Sequence, residues 1–462
     1  MLDSLVLHVP LLPDYYTVDG NLHNIIGDIA DYQIKAVPSY LKRDPVTKEI
    51  TLGALYSPFE SLPSSFSSMA IKFYSSNVAN SPPYIALNAS AKLLQGHNVY
   101  GGESVLNLAS EMLALLNENY PAFYNMLDIK NARISRLDST YSVRLSSEML
   151  IQPALRFLKH ADTGQRKSDN RRDFHNTVYF GLAKSPYGGA KIYGKSYELK
   201  DSIKKYKRSA DKGSTQSAKM LEIFNDELVS YSEGLLRFEC TTKARQLEKT
   251  NLPKNLWAFI DYQINTDKNV LRQLWHMWFD PILSTLTGDI KPDIDDSDAY
   301  DKCRAMLYTV TAKGTITYTK SNNAYNFYKL LKQDGYELVK TRHTRSTFNR
   351  LVNNLVDAGF PLAVLKNLSK EMPVPIPVNE ILDFDFDNQA PDGYKQPASN
   401  HVKDYTIYLN AGKISTMMFQ DFIGLNGKIF PPMEEKEVTY ENASNSNRKQ
   451  KYLRNVESRE AL

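Results

Sequence analysis

The chain has 462 residues, which is more than one compact core normally holds and predicts two or three domains of ~150 residues each. Its 42% hydrophobic and 23% charged residues exclude a mainly disordered or collagen-like protein. The 56 Lys and Arg residues against 52 Asp and Glu leave a net charge of only +4, so any basic surface must be local.

Short apolar runs predict β-strands up to about residue 250, and amphipathic stretches between them predict helices. Strands are predicted at residues 5–11, 69–74, 84–87, 134–145, 177–180 and 235–242, and helices at 105–116 and 218–231. Strands interspersed with helices in this way indicate an α+β fold.

After Leu252 the pattern becomes helical, with amphipathic segments at 255–264, 269–286, 324–333 and 347–358. An acidic loop at 289–301 divides them, and a Pro-rich segment at 372–377 is predicted to be extended. The polar residues 441–462 are predicted to be disordered. The predicted domains are therefore 1–250, 251–400 and an unassigned, partly disordered tail at 401–462.

Several classes of protein lack support in this sequence. Two cysteines, Cys240 and Cys303, are too few for a disulfide framework and indicate a reducing compartment. The first residues lack the basic start of a signal peptide, and no run of eighteen apolar residues predicts a membrane span. Phosphate-binding-loop, zinc-site and Ser/His/Asp hydrolase signatures are absent.

Basic clusters lie on both sides of a tyrosine-rich segment. One contains Arg166, Lys167, Arg171 and Arg172, and the other contains Lys200, Lys204, Lys205, Lys207, Arg208 and Lys212. Each alone is equally typical of a solvated loop. Because together they flank the tyrosines, contact with phosphate groups is favoured.

The tyrosine segment, Thr177–Glu198, contains the sequence KIYGK, in which Tyr193 lies between Lys191 and Lys195. Tyr197 follows four positions later, so the two rings share a face if the segment is helical. A tyrosine with a pKa near ~10 is a weak nucleophile, but neighbouring cations favour the phenolate and a bound metal can polarise a phosphate. The alternative is that these are ordinary tyrosines, among 29 in the chain, beside incidental lysines.

Two predicted strands carry an Arg followed by an acidic residue at i+2. They are Arg136 with Asp138, and Arg237 with Glu239. Residues two apart on a strand point to one face, so each pair is predicted to form part of a site. The carboxylates are oxygen ligands of the kind that Mg²⁺ or Mn²⁺ prefers. A buried salt-bridge network explains the pattern equally well.

Two further features carry weaker signals. His97 precedes a Gly-rich turn, and a lone histidine is more often structural than catalytic. Lys340, Arg342, His343, Arg345 and Arg350 precede or begin an amphipathic helix, which Ser346 or Thr347 can cap and Gly359 can end. A basic helix start is consistent with contacts to the DNA backbone but is also common on exposed helices.

Five segments in chain order resemble the gene II replication initiators of filamentous bacteriophages. They are YSPFESLPSSFSSMAIKFY (56–74), LLQGHNVYG (93–101), ISRLDSTYSVR (134–144), GLLRFECTTKAR (234–245) and APDGYKQP (390–397). The resemblance extends from the first residues to about 397, and Thr177–Glu198 also resembles the nucleophile region of plasmid rolling-circle initiators. It implies an antiparallel sheet with flanking helices, like that of rolling-circle initiators, followed by a mainly helical C-terminal region.

The resemblance also implies an activity. Such proteins nick the plus strand of supercoiled phage DNA at the origin through a tyrosine that stays joined to the 5′ end, and later close the displaced strand into a circle. The implied partners are the supercoiled origin, the single-stranded plus strand and the host helicase and polymerase, with an oligomer on the origin and no membrane. The implied location is the cytoplasm of an infected bacterium.

Carried over residue by residue, the resemblance implies the following roles. Tyr193 is the nucleophile, with Tyr197 as the alternative, and Lys195 assists together with Arg136 and Arg237. The implied Mg²⁺ or Mn²⁺ ligands are Asp138 and Glu239, with Glu198 and His97 as weaker candidates. The resemblance implies phosphate binding by Arg136 and Arg237, and the basic patterns described above add the candidates Lys191, Lys204, Lys205, Lys207, Arg208, Arg345 and Arg350.

The sequence departs from many rolling-circle initiators because it lacks their paired metal-binding histidines. Residues after about 400 have no counterpart in the resemblance. Two other interpretations stay open: a plasmid-type initiator or relaxase, and a non-catalytic regulator that binds the origin with the same fold.

Overall fold

The computed structural model describes residues 1–409 except 46, 48–49, 53–54, 79–80, 103, 160, 162–175, 182–183, 267–268, 287–295 and 369–377. The basic cluster at 166–172, most of the acidic loop at 289–301, the Pro-rich segment and residues 410–462 of the tail lie outside the described residues. Residues Met1–Lys413 belong to one compact unit. The domain boundaries at 250 and 400 stay predictions.

The strands of the described residues fall into one large sheet and four small ones. In chain order they are β1 (Leu2–Pro10), β2 (Tyr16–Asp19), β3 (Leu22–Ile25), β4 (Val37–Pro38), β5 (Leu41–Arg43), β6 (Ile50–Leu52), β7 (Leu55–Tyr56), β8 (Glu60–Pro63), β9 (Ser68–Tyr74), β10 (Ser76–Val78), β11 (Tyr84–Ser90), β12 (Arg133–Arg144), β13 (Thr177–Phe180), β14 (Gly188–Gly194), β15 (Leu235–Lys243), β16 (Thr309–Val310) and β17 (Ile316–Thr317).

The α-helices follow the same order. They are α1 (Lys92–Gln95), α2 (Val105–Asn119), α3 (Pro121–Tyr124), α4 (Ile151–Leu158), α5 (Lys195–Ala210), α6 (Thr215–Ile223), α7 (Asp226–Ser232), α8 (Ala244–Lys249), α9 (Leu256–Thr266), α10 (Val270–Leu283), α11 (Asp296–Met306), α12 (Thr319–Asp334), α13 (Tyr336–Thr341), α14 (Arg345–Asp357), α15 (Leu362–Asn367), α16 (Val378–Leu382) and α17 (Val402–Tyr405). None of the helices described is long and apolar enough to cross a membrane.

The large sheet has eight antiparallel strands in the order β13-β14-β15-β12-β1-β11-β9-β8. Side chains alternate between its two faces, so each strand contributes one apolar and one more polar row. On β12, Leu137 and Tyr141 point to the apolar face, whereas Asp138 and Thr140 point to the other. This alternation separates the core from the functional residues.

Helices cover the apolar face of the sheet. One hydrophobic cluster joins β1, β9 and β11 to α2 and α9, and a second joins β14 and β15 to α4 and α10. In the second, the indole of Trp275 donates a hydrogen bond to the carbonyl oxygen of Phe238 at 3.0 Å, which ties α10 to β15. The apolar face of the sheet therefore forms the core, and the opposite, polar face carries the residues of the sequence motifs.

A separate hydrophobic cluster lies within α11–α15. Phe348 of α14 packs edge-on against Phe327 of α12 and Tyr336 of α13, with ring centres 5.7 and 5.0 Å apart. The predicted α+β fold with an antiparallel sheet and a mainly helical C-terminal region is confirmed.

The tyrosine segment differs from the helical arrangement considered above. Gly188–Gly194 is strand β14 and the helix begins at Lys195, so Tyr193 and Tyr197 lie on different elements and share no helix face. The predicted helix at 218–231 is also two helices, because Asn225 interrupts it and caps α7, accepting a hydrogen bond from the Leu228 N–H at 2.9 Å.

Candidate active site

Strand register gathers the motif residues on the polar face of the sheet. Across β14 and β15, Lys191 is opposite Glu239 and Tyr193 is opposite Arg237. Directly opposed residues of neighbouring strands point to the same face. The same face carries Asp138, Thr140 and Ser142 of β12 and Ser4 of β1.

Tyr193 and Glu239 form a buried hydrogen-bonded pair. The Tyr193 hydroxyl, in a side chain only 7% exposed, donates to Glu239 Oε2 at 3.0 Å. Burial and the negative charge of Glu239 raise the pKa of Tyr193 well above its usual value. Burial is also the main cause that raises the pKa of Glu239 to about 7. Glu239 is therefore able to accept a proton from this phenol near neutral pH.

Lys191 balances the charge of this pair. Its Nζ lies 2.8 Å from Glu239 Oε1 and 5.1 Å from the centre of the Tyr193 ring. Burial lowers the pKa of Lys191, but the attraction of Glu239 outweighs it and the net shift is upward. A permanent cation therefore lies beside the phenol, where it favours the phenolate.

Arg237 is a fully buried cation on the other side of Tyr193. It donates to the carbonyl oxygens of Asn98 and, at 2.5 Å, Val99, and its Nε donates to Ser142 Oγ at 3.3 Å. Its guanidinium also lies 3.6 Å from Asp3 Oδ1. These contacts fix Arg237 in place and lock the loop after α1 to the sheet.

Lys195, the first residue of α5, is completely buried. Its Nζ donates to Asn98 Oδ1 at 2.9 Å and to Glu198 Oε2 at 2.5 Å, and it lies 6.0 Å from the centre of the Tyr193 ring. Burial lowers the pKa of Lys195 to about 8. Burial would raise the pKa of Glu198, but Lys195 and Lys92 outweigh it and lower that pKa to about 2. Glu198 is therefore engaged as the counterion of Lys195.

Asp138 is held on β12 by its own motif partner. Arg136 Nε lies 2.9 and 3.1 Å from the two carboxylate oxygens, and a guanidinium nitrogen also donates to Oδ2. Ser4 Oγ of β1 donates to Asp138 Oδ2 at 2.6 Å. The predicted pairing of Arg136 with Asp138 on one face is observed, and it forms an ion pair with Asp138 buried and Arg136 part exposed.

His97 is buried beside this network. Burial, followed by the charges of Lys195 and Arg237, lowers its pKa to about 4, so the ring is neutral at pH 7. Its ring packs edge-on against Tyr100 at 4.6 Å, and its Nδ1 has no hydrogen-bond partner among the described residues. A neutral imidazole with a free nitrogen keeps its capacity to bind a cation or a proton donor.

Tyr197 occupies a different environment from Tyr193. Its ring packs with the hydrophobic cluster that includes Ile151 and Phe238. It also lies against Gly194, where an added Cβ would be 2.7 Å from Tyr197 Cδ2. The structure therefore separates the two candidate nucleophiles and leaves Tyr193 alone beside Glu239.

The cations of α5 are at the surface. Lys200 pairs with Glu233 at 3.1 Å, and Lys204 lies 3.7 Å from Asp201. The next three basic residues are exposed and have no ion pair within the described part of the chain: Lys205, Lys207 and Arg208. This helix begins two residues after Tyr193, so the chain connects its exposed cations closely to the site.

The basic motif of the C-terminal region divides into paired and unpaired residues. Lys340 pairs with Glu337 at 3.1 Å, and Arg342 pairs with Asp334. Arg345 and Arg350 are exposed on α14 and have no ion pair in the described ranges.

The cap of α14 differs from the predicted one. Its N-cap is Thr344 rather than Ser346 or Thr347, because the helix begins at Arg345 and the Thr344 side chain accepts a hydrogen bond from the Thr347 N–H. Gly359 follows the last turn with φ +89°, as expected for a residue that ends a helix.

Asp3, Ser4 and Asn98 were not predicted as site residues. Asn98 donates to Asp3 Oδ1 at 2.8 Å while accepting from Lys195, so it joins the chain's first strand to α5. Nothing in their local sequence distinguishes them, because contacts between distant residues bring them to the site. The pairing of β1 with β12 places Asp3 and Ser4, and hydrogen bonds with Asp3 and Lys195 place Asn98. Asn98 directly follows His97 in the sequence, and this neighbouring candidate was a signal that could have led to it.

The described residues contain no group of three or more His, Cys, Asp or Glu side chains arranged to hold a metal ion. The oxygen donors of the polar face nevertheless suit a hard cation. Beyond burial, the negative charges of Asp3 and Asp138 raise the pKa of Glu239, and a cation there would relieve this repulsion. The buried Thr140 hydroxyl, opposite Glu239 in the register, also has no partner among the residues described.

Comparison with known proteins connects this site to a family. Residues 1–270 match the N-terminal family of the replication-associated gene II proteins, and residues 310–400 match the C-terminal family of the same proteins. No solved structure matches the chain.

Individual relatives cover most of the chain. The replication-associated gene II protein of Enterobacteria phage M13 is 31% identical over 410 residues, which cover 86% of this chain and 99% of the relative. That of Salmonella phage IKe is 29% identical over 423 residues, which cover 89% and 100%. That of Enterobacteria phage f1 is 30% identical over 410 residues, which cover 86% and 99%. The resemblance found in the sequence is confirmed by these matches.

Proposed function

The chain belongs to the family of replication-associated gene II proteins, and from that premise we propose that it initiates rolling-circle replication of a filamentous phage genome. It nicks the plus strand of supercoiled DNA at the origin, and later rejoins the displaced strand as a circle. The observation that carries this proposal is the hydrogen bond from Tyr193 to Glu239, surrounded by the cations Lys191, Lys195 and Arg237.

The arrangement suits attack by the tyrosine on a phosphodiester. Glu239 accepts the proton from Tyr193, the phenolate oxygen forms a bond to the scissile phosphorus, and the bond from phosphorus to the 3′ oxygen breaks. The 3′ oxygen takes up a proton from solvent water and leaves as a free hydroxyl that can prime synthesis. Lys191 and Lys195 reduce the cost of negative charge on the phenolate and the phosphate.

Rejoining is the reverse reaction. A 3′ hydroxyl loses its proton to solvent water and attacks the phosphotyrosine, the bond from phosphorus to the tyrosine oxygen breaks, and the phenolate recovers its proton from Glu239. Because the phosphotyrosyl bond conserves the energy of the cleaved bond, no nucleotide hydrolysis is needed. The lack of a phosphate-binding-loop motif in the sequence agrees with this.

We also propose that the reaction requires a divalent metal ion, Mg²⁺ or Mn²⁺. Asp138 and Glu239 would hold it, with Asp3 on the same side of the sheet and His97 as a neutral neighbour. When bound, such an ion polarises the phosphate and stabilises the departing oxygen. Glu198 is a weaker ligand candidate because it is committed to Lys195.

DNA would be held by two further surfaces. The exposed cations of α5, Lys204, Lys205, Lys207 and Arg208, would contact phosphates near the site, and Arg345 and Arg350 of α14 would contact the origin duplex. The proposed partners also include the single-stranded plus strand and the host helicase and polymerase, and the protein would assemble as an oligomer on the origin.

The proposal is tested by incubating supercoiled plasmid carrying the phage origin with the protein and Mg²⁺. We expect nicked circles whose 5′ ends carry covalently bound protein, whereas Tyr193→Phe binds the plasmid without nicking it. Tyr197→Phe, a matched loss of one hydroxyl, is expected to nick at the wild-type rate.

The outcomes also separate the alternatives. Binding without nicking by the wild-type protein would favour a non-catalytic regulator. Nicking of a plasmid origin, but not of a phage origin, would favour a plasmid-type initiator or relaxase.

A further inference from the structure

A row of aromatic rings lies on the polar face of the large sheet, away from Tyr193. His8 of β1 stacks on Tyr84 of β11 with ring centres 4.3 Å apart, and Tyr84 stacks on Tyr74 of β9 at 4.7 Å. Lys72 Nζ then lies 5.0 Å from the centre of the Tyr74 ring and 4.7 Å from that of Phe59. We call these five residues the aromatic stripe.

Strand register places the stripe on the face that carries the candidate active site. Lys72 is opposite Ala86, Ala86 is opposite His8, and His8 is opposite Arg133 of β12. His8 is four residues along β1 from Ser4, which contacts Asp138. At ~3.3 Å per residue, the stripe therefore begins ~13 Å from the carboxylates of the site.

The stripe is accessible to a ligand. His8, Lys72, Tyr74 and Tyr84 are part exposed, and Phe59 is 72% exposed. Helices α2 and α9 pack on the opposite, apolar face, around Leu7, Ile71 and Leu87. Exposed rings cost free energy when they face only water, so a row of them indicates a binding surface.

The charge of the stripe indicates an anionic, aromatic ligand. Two cations flank the rings of the stripe: Lys72 lies between Tyr74 and Phe59, and Arg133 lies opposite His8 on β12. Neither forms an ion pair within the described residues. Between them the rings are neutral, and burial lowers the pKa of His8 to about 4, which keeps its imidazole uncharged at pH 7. Flat neutral rings between cations suit bases attached to a phosphate backbone.

We propose that the aromatic stripe binds single-stranded DNA by base stacking, and so holds the unpaired strand next to the nicking site. In a duplex the faces of the bases are stacked on each other, so only an unpaired strand can present them to side chains. This inference rests on the proposed function, because nicking by Tyr193 is what would place an unpaired DNA strand beside the aromatic stripe.

The test measures binding of a fluorescein-labelled 20-mer of thymidine nucleotides to the full-length protein by fluorescence anisotropy. Tyr74→Leu and Tyr84→Leu each remove a stacking ring, and we expect each to weaken binding by about 5- to 150-fold. Tyr74→Phe and Tyr84→Phe keep the ring and lose a hydroxyl that makes no hydrogen bond within the described residues, so we expect them to bind within about twofold of wild type.

Controls separate stacking from other causes. Tyr308→Leu removes a tyrosine that is 52% exposed in the C-terminal region, and its single-strand affinity is expected to match wild type. A 20-base-pair duplex should bind all these variants equally well. Lys72→Gln should reduce the slope of log affinity against log salt by about 0.7, the loss of one phosphate contact. Thermal unfolding of each variant identifies any that fails to fold.

Unchanged single-strand affinity in both folded Leu variants would overturn the proposal. So would Phe variants as weak as the Leu variants, or an equal loss of duplex binding. Because the assay needs no cleavage, its result is independent of the proposed nicking reaction. Loss of single-strand binding in the Leu variants, with a wild-type protein that fails to nick, would leave the stripe intact and reject only the proposed function.

Discussion

At the scale of single residues, the key feature of the site is that Glu239 can accept the proton of Tyr193. The phenol is buried, donates to Glu239, and has a raised pKa that disfavours spontaneous ionisation. A glutamate whose pKa is about 7 is matched to accept that proton at neutral pH. The same burial that makes Tyr193 a poor nucleophile alone therefore makes Glu239 an effective partner.

Replacing Glu239 by Gln should slow nicking of supercoiled origin DNA by about 10²- to 10⁴-fold, because the proton acceptor is lost. Wild-type initial rates should rise with pH as Glu239 loses its proton, with a midpoint at or below about 7 because bound Mg²⁺ favours the carboxylate, and the variant should lack this rise. Glu233→Gln, which removes an exposed carboxylate paired with Lys200, is the control. A variant that keeps the wild-type pH profile would assign the proton to another group.

Replacing Glu198 by Gln should destabilise the protein by about 1–2 kcal/mol at pH 7, because buried Lys195 loses its counterion and Glu198 is only partly shielded from water. The pKa of Glu198 is lowered to about 2 from its ordinary 4.5. Its stabilisation is therefore present above pH 4.5 and is lost as pH falls towards 2.

Thermal unfolding of wild type and the Glu198→Gln variant across this pH range checks the prediction. The difference in Tm between wild type and the Glu198→Gln variant should be largest above pH 4.5 and should decrease as the pH falls below it. Glu337→Gln, in an exposed pair with Lys340, should change Tm little at any pH. A gap that is independent of pH would contradict the assigned ion pair.

At the scale of elements, the sequence patterns predicted most strands of the large sheet. Alternating apolar residues placed six strands of the large sheet, and Thr177–Phe180 matches its predicted bounds. The pattern could not show that β14 ends at Gly194, because KIYGK is compatible with a strand or a helix. Asp3 and Asn98 reach the site only through pairings of residues distant in sequence, which no local pattern reports.

Gly188 begins β14 at a position that only glycine can occupy. Its φ is +136°, and an added Cβ would lie 1.9 Å from the carbonyl oxygen of Thr241 on β15. Gly188→Ala should therefore destabilise the protein by about 2–5 kcal/mol in urea unfolding. Gly213→Ala is the control, because Gly213 has φ +91° but open space around an added Cβ. It should lower the free energy of unfolding by only about 1 kcal/mol. Equal losses would mean that contact with β15 is unimportant.

The unpaired cations of α14 should bind duplex DNA. Arg345→Gln combined with Arg350→Gln should reduce the salt slope of origin binding by about 2, from about 0.9 per phosphate contact. Lys340→Gln combined with Arg342→Gln removes the same charge from residues that are already paired, and should change the slope less. Equal slopes for the two double variants, measured by anisotropy, would exclude a special role for α14.

At the scale of the whole molecule, the net charge of +4 is small because 56 basic residues are balanced by 52 acidic ones, not because charged residues are few. Four charged residues of the candidate site are buried and paired with oppositely charged partners: Arg237, Lys195, Glu239 and Asp138. The exposed cations that we propose to contact DNA lie on α5 and α14. The large sheet thus carries the proposed chemistry on one face and its core on the other, and the proposed DNA-binding cations lie on helices.

The central claim is that Tyr193 becomes joined to the 5′ end of the nicked strand. The most direct measurement is to nick supercoiled origin plasmid in Mg²⁺, digest the covalent complex with protease and nuclease, and identify the nucleotide-linked peptide by mass spectrometry. We predict a peptide with the nucleotide on Tyr193. A nucleotide on Tyr197, or on any other residue, would contradict the assignment.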